Sequence, residues 1–305
     1  MSTVRHFLGL DSFKKEDLRR IIDGAKALKL NSALCNKALA GCTLAMIFEK
    51  PSTRTRISFD VAMSQLGGRA ISLSPQELQL GRGETVGDTA RVMSRYVNAI
   101  MLRTGNHDSL MSLADAASIP VVNGLTNRTH PCQLLADVLT FEEHLGPISG
   151  KTIAWLGDGN NVASTWIQAA AQFNFNIRIG CPKSFRPDPQ IINWAEKNGA
   201  NIFISEDPFE VLKDAHCVVT DTWVSLADDQ VKSTDLFKPY QVDSIKMNFA
   251  SQGAIFMHCL PAKRGQEVTA DVLEGSASVV LDEAENRLHI QKAILIWCLA
   301  KDQLF

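Results

Sequence analysis

No C-x-x-C pair occurs in this chain, although it carries seven cysteines, at 35, 42, 132, 181, 217, 259 and 298. The number is odd and the spacing is wide, which argues against a disulfide framework and gives a structural zinc site no ligand pattern. Free thiols of this kind fit a reducing cytoplasm. An excess of one charge is missing too. The chain has 31 Lys and Arg against 33 Asp and Glu, a formal net charge of −2, so bulk attraction to nucleic acid or to an anionic membrane is not expected. Long apolar runs are absent. The most apolar late segment, AILIWCLA (293–300), is too short to span a bilayer. The opening MSTVRHFLGLDSFKKED has no apolar core before a small-residue cleavage site, so no signal peptide is expected. The Walker A pattern G-x-x-x-x-G-K-[ST] is absent as well.

What is present is a globular composition: 305 residues, 45% hydrophobic and 21% charged, enough for two ordinary domains. Leu18, Ile21, Ile22, Ala25 and Leu28 recur at helical spacing. CTLAMIF (42–48) reads as a buried strand, followed by a helix from about Thr53 to Leu66 that Gly67-Gly68 ends. Apolar strands and amphipathic helices then alternate: AISLS, a helix capped by Thr85 with Asp88, AIMLR (99–103), a helix, IPVVNG, and the helix PCQLLADVLTFEEHL (131–145). The series restarts with KTIAWLG (151–157) and runs through NIRIGC, NIFIS, HCVVTD (216–221) and AIFMHCL (254–260), with helices between. SVVLDEA (278–284) is expected to be a further strand, and a long last helix to begin near Glu285. This alternation implies parallel sheets covered on both faces. The expected fold is α/β: two doubly wound parallel-sheet domains with the active site in the cleft between them. The domains are placed at 1–145 and 146–284, with 285–305 as a helix packing back on the first.

In such sheets ligands bind beyond the carboxyl ends of the strands, and polar chemistry collects there. FEKPSTRTRISF (48–59) puts Ser52, Thr53, Arg54, Thr55 and Arg56 where a strand hands over to a helix. An N-cap explains one hydroxyl. It does not explain arginines, which the positive helix N-terminus repels. A bound anion resolves the conflict, because free N–H groups, hydroxyls and guanidinium forks make a phosphate site. His130 and Gln133 are three apart at a helix start that Pro131 suits. Alone they read as a capped helix with a buried histidine; beside a phosphate site they read as a pair that polarises a carbonyl. Cys132 between them is expected to pack. Gly157-Asp-Gly159-Asn-Asn161-Val162 is an incomplete dinucleotide fingerprint, with Val162 at the third glycine position and no acid after RIGCP for a ribose. Asn160 and Asn161 are either caps or holders of a substrate's charged end. Asp221 either caps a turn or receives an ammonium. Cys259, in His258-Cys-Leu-Pro261, is either core or part of a cleft. Arg287, taken alone, reads as a surface residue, and Gln79 lies unremarked in a Gly-rich loop.

Taken together, STRTR (52–56), HPCQ (130–133), DTWVS (221–225) and HCLP (258–261) resemble the aspartate/ornithine transcarbamoylase family in order and spacing, over nearly the whole chain. HCLP is similar to the ornithine branch. The resemblance implies transfer of a carbamoyl group from carbamoyl phosphate to L-ornithine, giving citrulline and phosphate, with no metal or organic cofactor. It implies that Ser52, Thr53, Arg54 and Thr55 hold the phosphate, and that Arg103, His130, Gln133 and Thr55 surround the carbamoyl group with Arg287 nearby. Gln79 would reach a neighbouring subunit's site in a homotrimer. Asn161, Asp221, Ser225 and the Leu226 backbone would bind ornithine, and Cys259 and the Leu260 carbonyl would sit by the reacting centre. The partners implied are the two substrates and other copies of the chain, with neither nucleic acid nor membrane. Where the family usually reads Ser-Met-Gly, this chain has Ser225-Leu226-Ala227, which bears on amine choice. Putrescine and N-acetylornithine are the alternative acceptors.

Overall fold

A computed structural model describes residues 4–35, 37–74, 83–224 and 233–300. The chain forms two compact units, one of Met1–Ala136 with Arg287–Phe305 and the other of Asp137–Asn286.

The first unit contains α1 (Lys15–Leu30), β1 (Thr43–Phe48), α2 (Thr53–Gln65), β2 (Arg69–Leu73), α3 (Val86–Met93), β3 (Ala99–Arg103), α4 (His107–Ala116), β4 (Val121–Leu125) and the start of α5 (Pro131–Leu145). Its sheet runs β2-β1-β3-β4, all parallel. The apolar run Thr43–Phe48 is buried at every position because β1 is an inner strand covered on both faces. Ile47, Ile100, Leu102 and Val121 pack with Ala90 of α3 and Leu110, Leu113 and Ala114 of α4. The chain leaves β1 for β2 on one side and reaches β3 on the other. The switch point therefore lies between β1 and β3, whose carboxyl ends carry Ser52–Thr55 and Arg103. A register shift follows: Leu102 faces Asn123, but Arg103 faces Leu125. Gly124 absorbs the extra residue. A Cβ there would come within 2.3 Å of Met101 Sδ and 3.2 Å of the Leu102 oxygen, so any larger residue would crowd this bulge beside Arg103.

The second unit continues α5 and adds β5 (Thr152–Leu156), α6 (Asn161–Phe173), β6 (Asn176–Gly180), α7 (Pro189–Lys197), β7 (Asn201–Ser205), α8 (Pro208–Leu212), β8 (Cys217–Thr220), α9 (Ser244–Phe249), β9 (Ile255–His258), α10 (Ala270–Leu273) and the first turns of α11 (Val280–Leu299). Its parallel order is β7-β6-β5-β8-β9. Here the switch point lies between β5 and β8, which lead into Asn160 and Asp221. The core joins Ala154, Leu156, Val218 and Phe256 of the sheet to Val211, Leu212, Val272 and Leu273 of the helices.

One expected strand is not a strand. Of SVVLDEA, only Ser278 makes a bridge, to Phe256, and α11 begins at Val280 rather than near Glu285. The helical period was hidden because polar side chains hold the buried positions: Glu283 is 1% exposed and Asn286 0%, while the apolar Leu281 is 75% exposed. Glu283 is held inside by the His258 N–H, which donates to its Oε2 at 2.9 Å. Among the described residues no helix is long and apolar enough to cross a membrane.

Candidate functional site

In the first unit, α2 starts at Thr53 because Ser52 caps it: the Ser52 Oγ accepts the Thr55 N–H at 3.4 Å. This turns the Thr55 side chain inward, where it is fully buried. The Thr55 Oγ1 accepts from Arg287 Nη2 at 2.8 Å and from Arg103 Nη1 at 3.3 Å, and lies 3.1 Å from the Ser52 Oγ. Thr53 and Arg54 occupy the first helical turn, Thr53 exposed and Arg54 half-buried. Two guanidinium groups thus converge on one neutral oxygen at the positive end of a helix. The arrangement favours an anion rich in acceptor oxygens. Arg287, which read alone as a surface position, is 3% exposed; nothing local to AENRLH records that burial.

His130 and Gln133 are both buried at the start of α5. Burial, then the charges of Arg287 and Arg103, hold the His130 imidazole well below its ordinary range. It is therefore neutral at pH 7, and one ring nitrogen carries a proton that it can donate. Cys132 packs as expected: its thiol donates to the Asn123 oxygen at 3.3 Å, and burial pushes it up to about 12. Gln79 lies outside the described residues.

In the second unit, Asn160 caps α6, its Oδ1 accepting from the N–H groups of Val162 and Ala163. Its Nδ2 donates to Asp221 Oδ2 at 2.9 Å. Asp221 Oδ1 accepts the Thr222 N–H at 2.7 Å and the Cys259 thiol at 3.3 Å. Burial, followed by the Asp221 and Glu283 charges, holds that thiol well above its ordinary value, so Cys259 is a hydrogen-bond donor rather than a thiolate. Asn161 is the first residue of α6 and half-buried. Asn160, of the two asparagines, is the one bonded to the carboxylate. Ser225 and Leu226 lie outside the described residues.

Asp221, His258 and Cys259 bring ligand-type atoms within 4.8 Å of one another. As a metal cluster they lack a free imidazole lone pair. The His258 Nδ1 accepts the Leu260 N–H at 2.8 Å and Nε2 lies 3.2 Å from Glu267 Oε1. Glu267 was missed by sequence reasoning, since an acid nine positions beyond His258 in a loop carries no motif.

The G-D-G-N-N turn is also filled. The Gly159 N–H donates to the Phe185 oxygen at 2.8 Å, and a Cβ on Gly159 would come within 2.4 Å of Pro187 N. The segment 185–187 thus lies against the turn that a dinucleotide pyrophosphate would approach, which disfavours dinucleotide binding there on steric grounds.

Residues 5–143 match the family model described as the aspartate/ornithine carbamoyltransferase carbamoyl-P binding domain, and residues 149–298 match that of the Asp/Orn binding domain. The chain is 55% identical to an ornithine carbamoyltransferase of Rhodopseudomonas palustris (strain BisA53), across 96% of this chain and 97% of that one. It is 54% identical to one of Rhizobium meliloti (strain 1021), across 97% and 99%. The solved ornithine carbamoyltransferase of Pyrococcus furiosus superposes with a TM-score of 0.94 at 43% identity, covering 99% of both chains.

Proposed function

The chain belongs to the aspartate/ornithine carbamoyltransferase family, and we propose that it transfers the carbamoyl group of carbamoyl phosphate to the side-chain amine of L-ornithine, releasing L-citrulline and phosphate. The observation that carries this reading is the convergence of Arg103 and Arg287 on Thr55 at the N-terminus of α2. Two fixed cations, a helix dipole and hydroxyls suit a doubly charged acyl phosphate better than a carboxylate.

In this reading Ser52, Thr53, Arg54 and Thr55 take the phosphate. Arg103, His130, Gln133 and the Thr55 hydroxyl surround the carbamoyl group, with Arg287 beside them. As the amine attacks the carbonyl carbon, negative charge grows on the carbonyl oxygen. Arg103, neutral His130 and Thr55 supply preorganised donors for it. Arg54 and the α2 amides offset the charge that collects on the departing phosphate. Asp221 receives ornithine's α-ammonium, Asn161, Ser225 and the Leu226 backbone receive its other polar end, and Cys259 with the Leu260 carbonyl borders the reacting amine. Ornithine must arrive uncharged at its side-chain nitrogen, which costs roughly 4 kcal/mol at pH 7 for a lysine-like pKa near 10. Activity is therefore expected to rise into the alkaline range when chemistry limits turnover; a flat profile would remove that step. Residues 1–145 serve carbamoyl phosphate, 146–284 the amine, and 285–305 return to the first domain. The working assembly is a homotrimer in the cytoplasm, with Gln79 reaching a neighbour's phosphate.

The test is direct. Purified protein is incubated with carbamoyl phosphate and, separately, ornithine, putrescine, N-acetylornithine and aspartate, and products are weighed by mass spectrometry. Citrulline formed fastest supports the reading. Faster carbamoylation of putrescine or N-acetylornithine keeps the carbamoyl phosphate site and moves the amine specificity to the Ser225-Leu226-Ala227 segment.

A further inference from the structure

Leu260 has φ +55°, a left-handed conformation that a residue other than glycine rarely adopts unless its surroundings hold it. What holds it is the imidazole two residues earlier. The Leu260 N–H donates to His258 Nδ1 at 2.8 Å. A backbone N–H can only donate, so Nδ1 carries no proton, and in the neutral ring the proton sits on Nε2. That Nε2 lies 3.2 Å from Glu267 Oε1, which also accepts the Lys263 N–H at 2.5 Å. The His258 backbone N–H is spent on Glu283. His258 and Glu267 are both 0% exposed. Every polar atom of the ring is thereby committed, and the ring cannot turn without stranding a buried group.

We infer that His258 and Glu267 are positioning residues, a buried pair that holds Leu260 left-handed and so sets the placement of the Cys259 thiol and the Leu260 carbonyl. The inference rests on the proposed amine site for its functional consequence. It assigns no proton transfer to His258, because the nitrogen nearer the Cys259–Leu260 backbone is occupied by the Leu260 N–H. Cys259 is then fixed from two directions, by the Leu260 turn on one side and by Asp221 on the other.

Two substitutions separate positioning from proton relay. In His258→Asn the amide oxygen falls near the place of Nδ1 and can still accept the Leu260 N–H. In His258→Gln it falls near Nε2 and cannot. Neither amide titrates. Positioning gives kcat/KM for ornithine about 10²-fold lower in His258→Gln than in His258→Asn, a penalty appropriate to a small misplacement of reacting groups, with KM for carbamoyl phosphate unchanged in both. Glu267→Gln, which keeps an acceptor oxygen, is expected to stay near wild type, and Glu267→Leu to behave like His258→Gln. Equal losses in the Asn and Gln variants would overturn the inference. A readout free of folding differences uses the wild-type protein: nitrogen-15 NMR of the imidazoles is expected to show His258 protonated at Nε2 and bare at Nδ1 at neutral and alkaline pH. A proton on Nδ1 overturns the inference even if the enzyme proves active. Absence of citrulline formation by the wild type would instead sink the functional reading and leave the tautomer to decide the geometry.

Discussion

Arg287 and Thr55 are 232 residues apart in the chain and 2.8 Å apart in space, with Nη2 of the arginine donating to Oγ1 of the threonine. Arg103, from a third segment, meets the same oxygen. Thr55 is therefore the point at which three distant pieces of sequence meet. Thr55→Val keeps the shape and removes the oxygen. Its expected cost is about 10²-fold in kcat/KM for carbamoyl phosphate, in line with loss of one preorganised polar group. Thr55→Ser should recover most of that. Steady-state kinetics on both variants checks this, and an unimpaired valine variant would refute the role.

The neutral state of His130 has a consequence for stability. Its folded pKa lies below the unfolded 6.5, so between those values the unfolded chain binds more protons than the folded one. Stability is then lost as pH falls below about 6.5 and is fully present above it. His6, His107 and His216 are depressed in the same direction, each chiefly by burial. Melting temperature measured from pH 8 down to about pH 5 should therefore fall, and fall less steeply in His130→Gln. Parallel curves for variant and wild type would mean that His130 does not contribute.

Cys259 should behave as a protected thiol. With its pKa held well above 9 by burial and the Asp221 charge, alkylation by iodoacetamide near pH 8 is expected to be slower than for a free thiol. Asp221→Asn removes the adjacent charge and should speed it. Peptide mapping of labelled Cys259 over time measures both, and rapid labelling of the wild type would show that the thiol is not held protonated.

Gly159 is expected to tolerate no side chain. A Cβ would stand 2.4 Å from Pro187 N and 2.5 Å from the Phe185 oxygen, both backbone atoms that cannot swing away. Gly159→Ala should destabilise by about 1–3 kcal/mol, the usual cost of overpacking. Urea unfolding gives the number directly, and a neutral result would place the 185–187 segment elsewhere.

Much of this molecule is legible from residues alone. The strands β1, β5, β8 and β9 are short apolar runs closed by turn residues, and their burial at every position leaves no polar alternation to confuse the reading. Ser52, Thr85 and Asn160 announce their helices because a capping side chain is a local event, fixed within three residues. The polar strand ends could be found by the same logic, since a parallel sheet sends all its carboxyl ends one way. The start of α11 could not. Its buried face carries Glu283, Asn286 and Arg287, and a helix that buries polar groups shows no apolar stripe.

What the sequence determined by itself was therefore local: strand, cap, turn and the kinds of chemistry at each strand end. Tertiary structure alone decided which of those groups meet. It made Arg287 a buried partner of Thr55 instead of a surface charge, joined Asn160 rather than Asn161 to Asp221, and set Glu267 against His258 to hold Leu260. The reason is physical. Hydrogen bonds between residues far apart in the chain depend on how helices and strands pack, and a buried polar group has no sequence signature until its partner is in place.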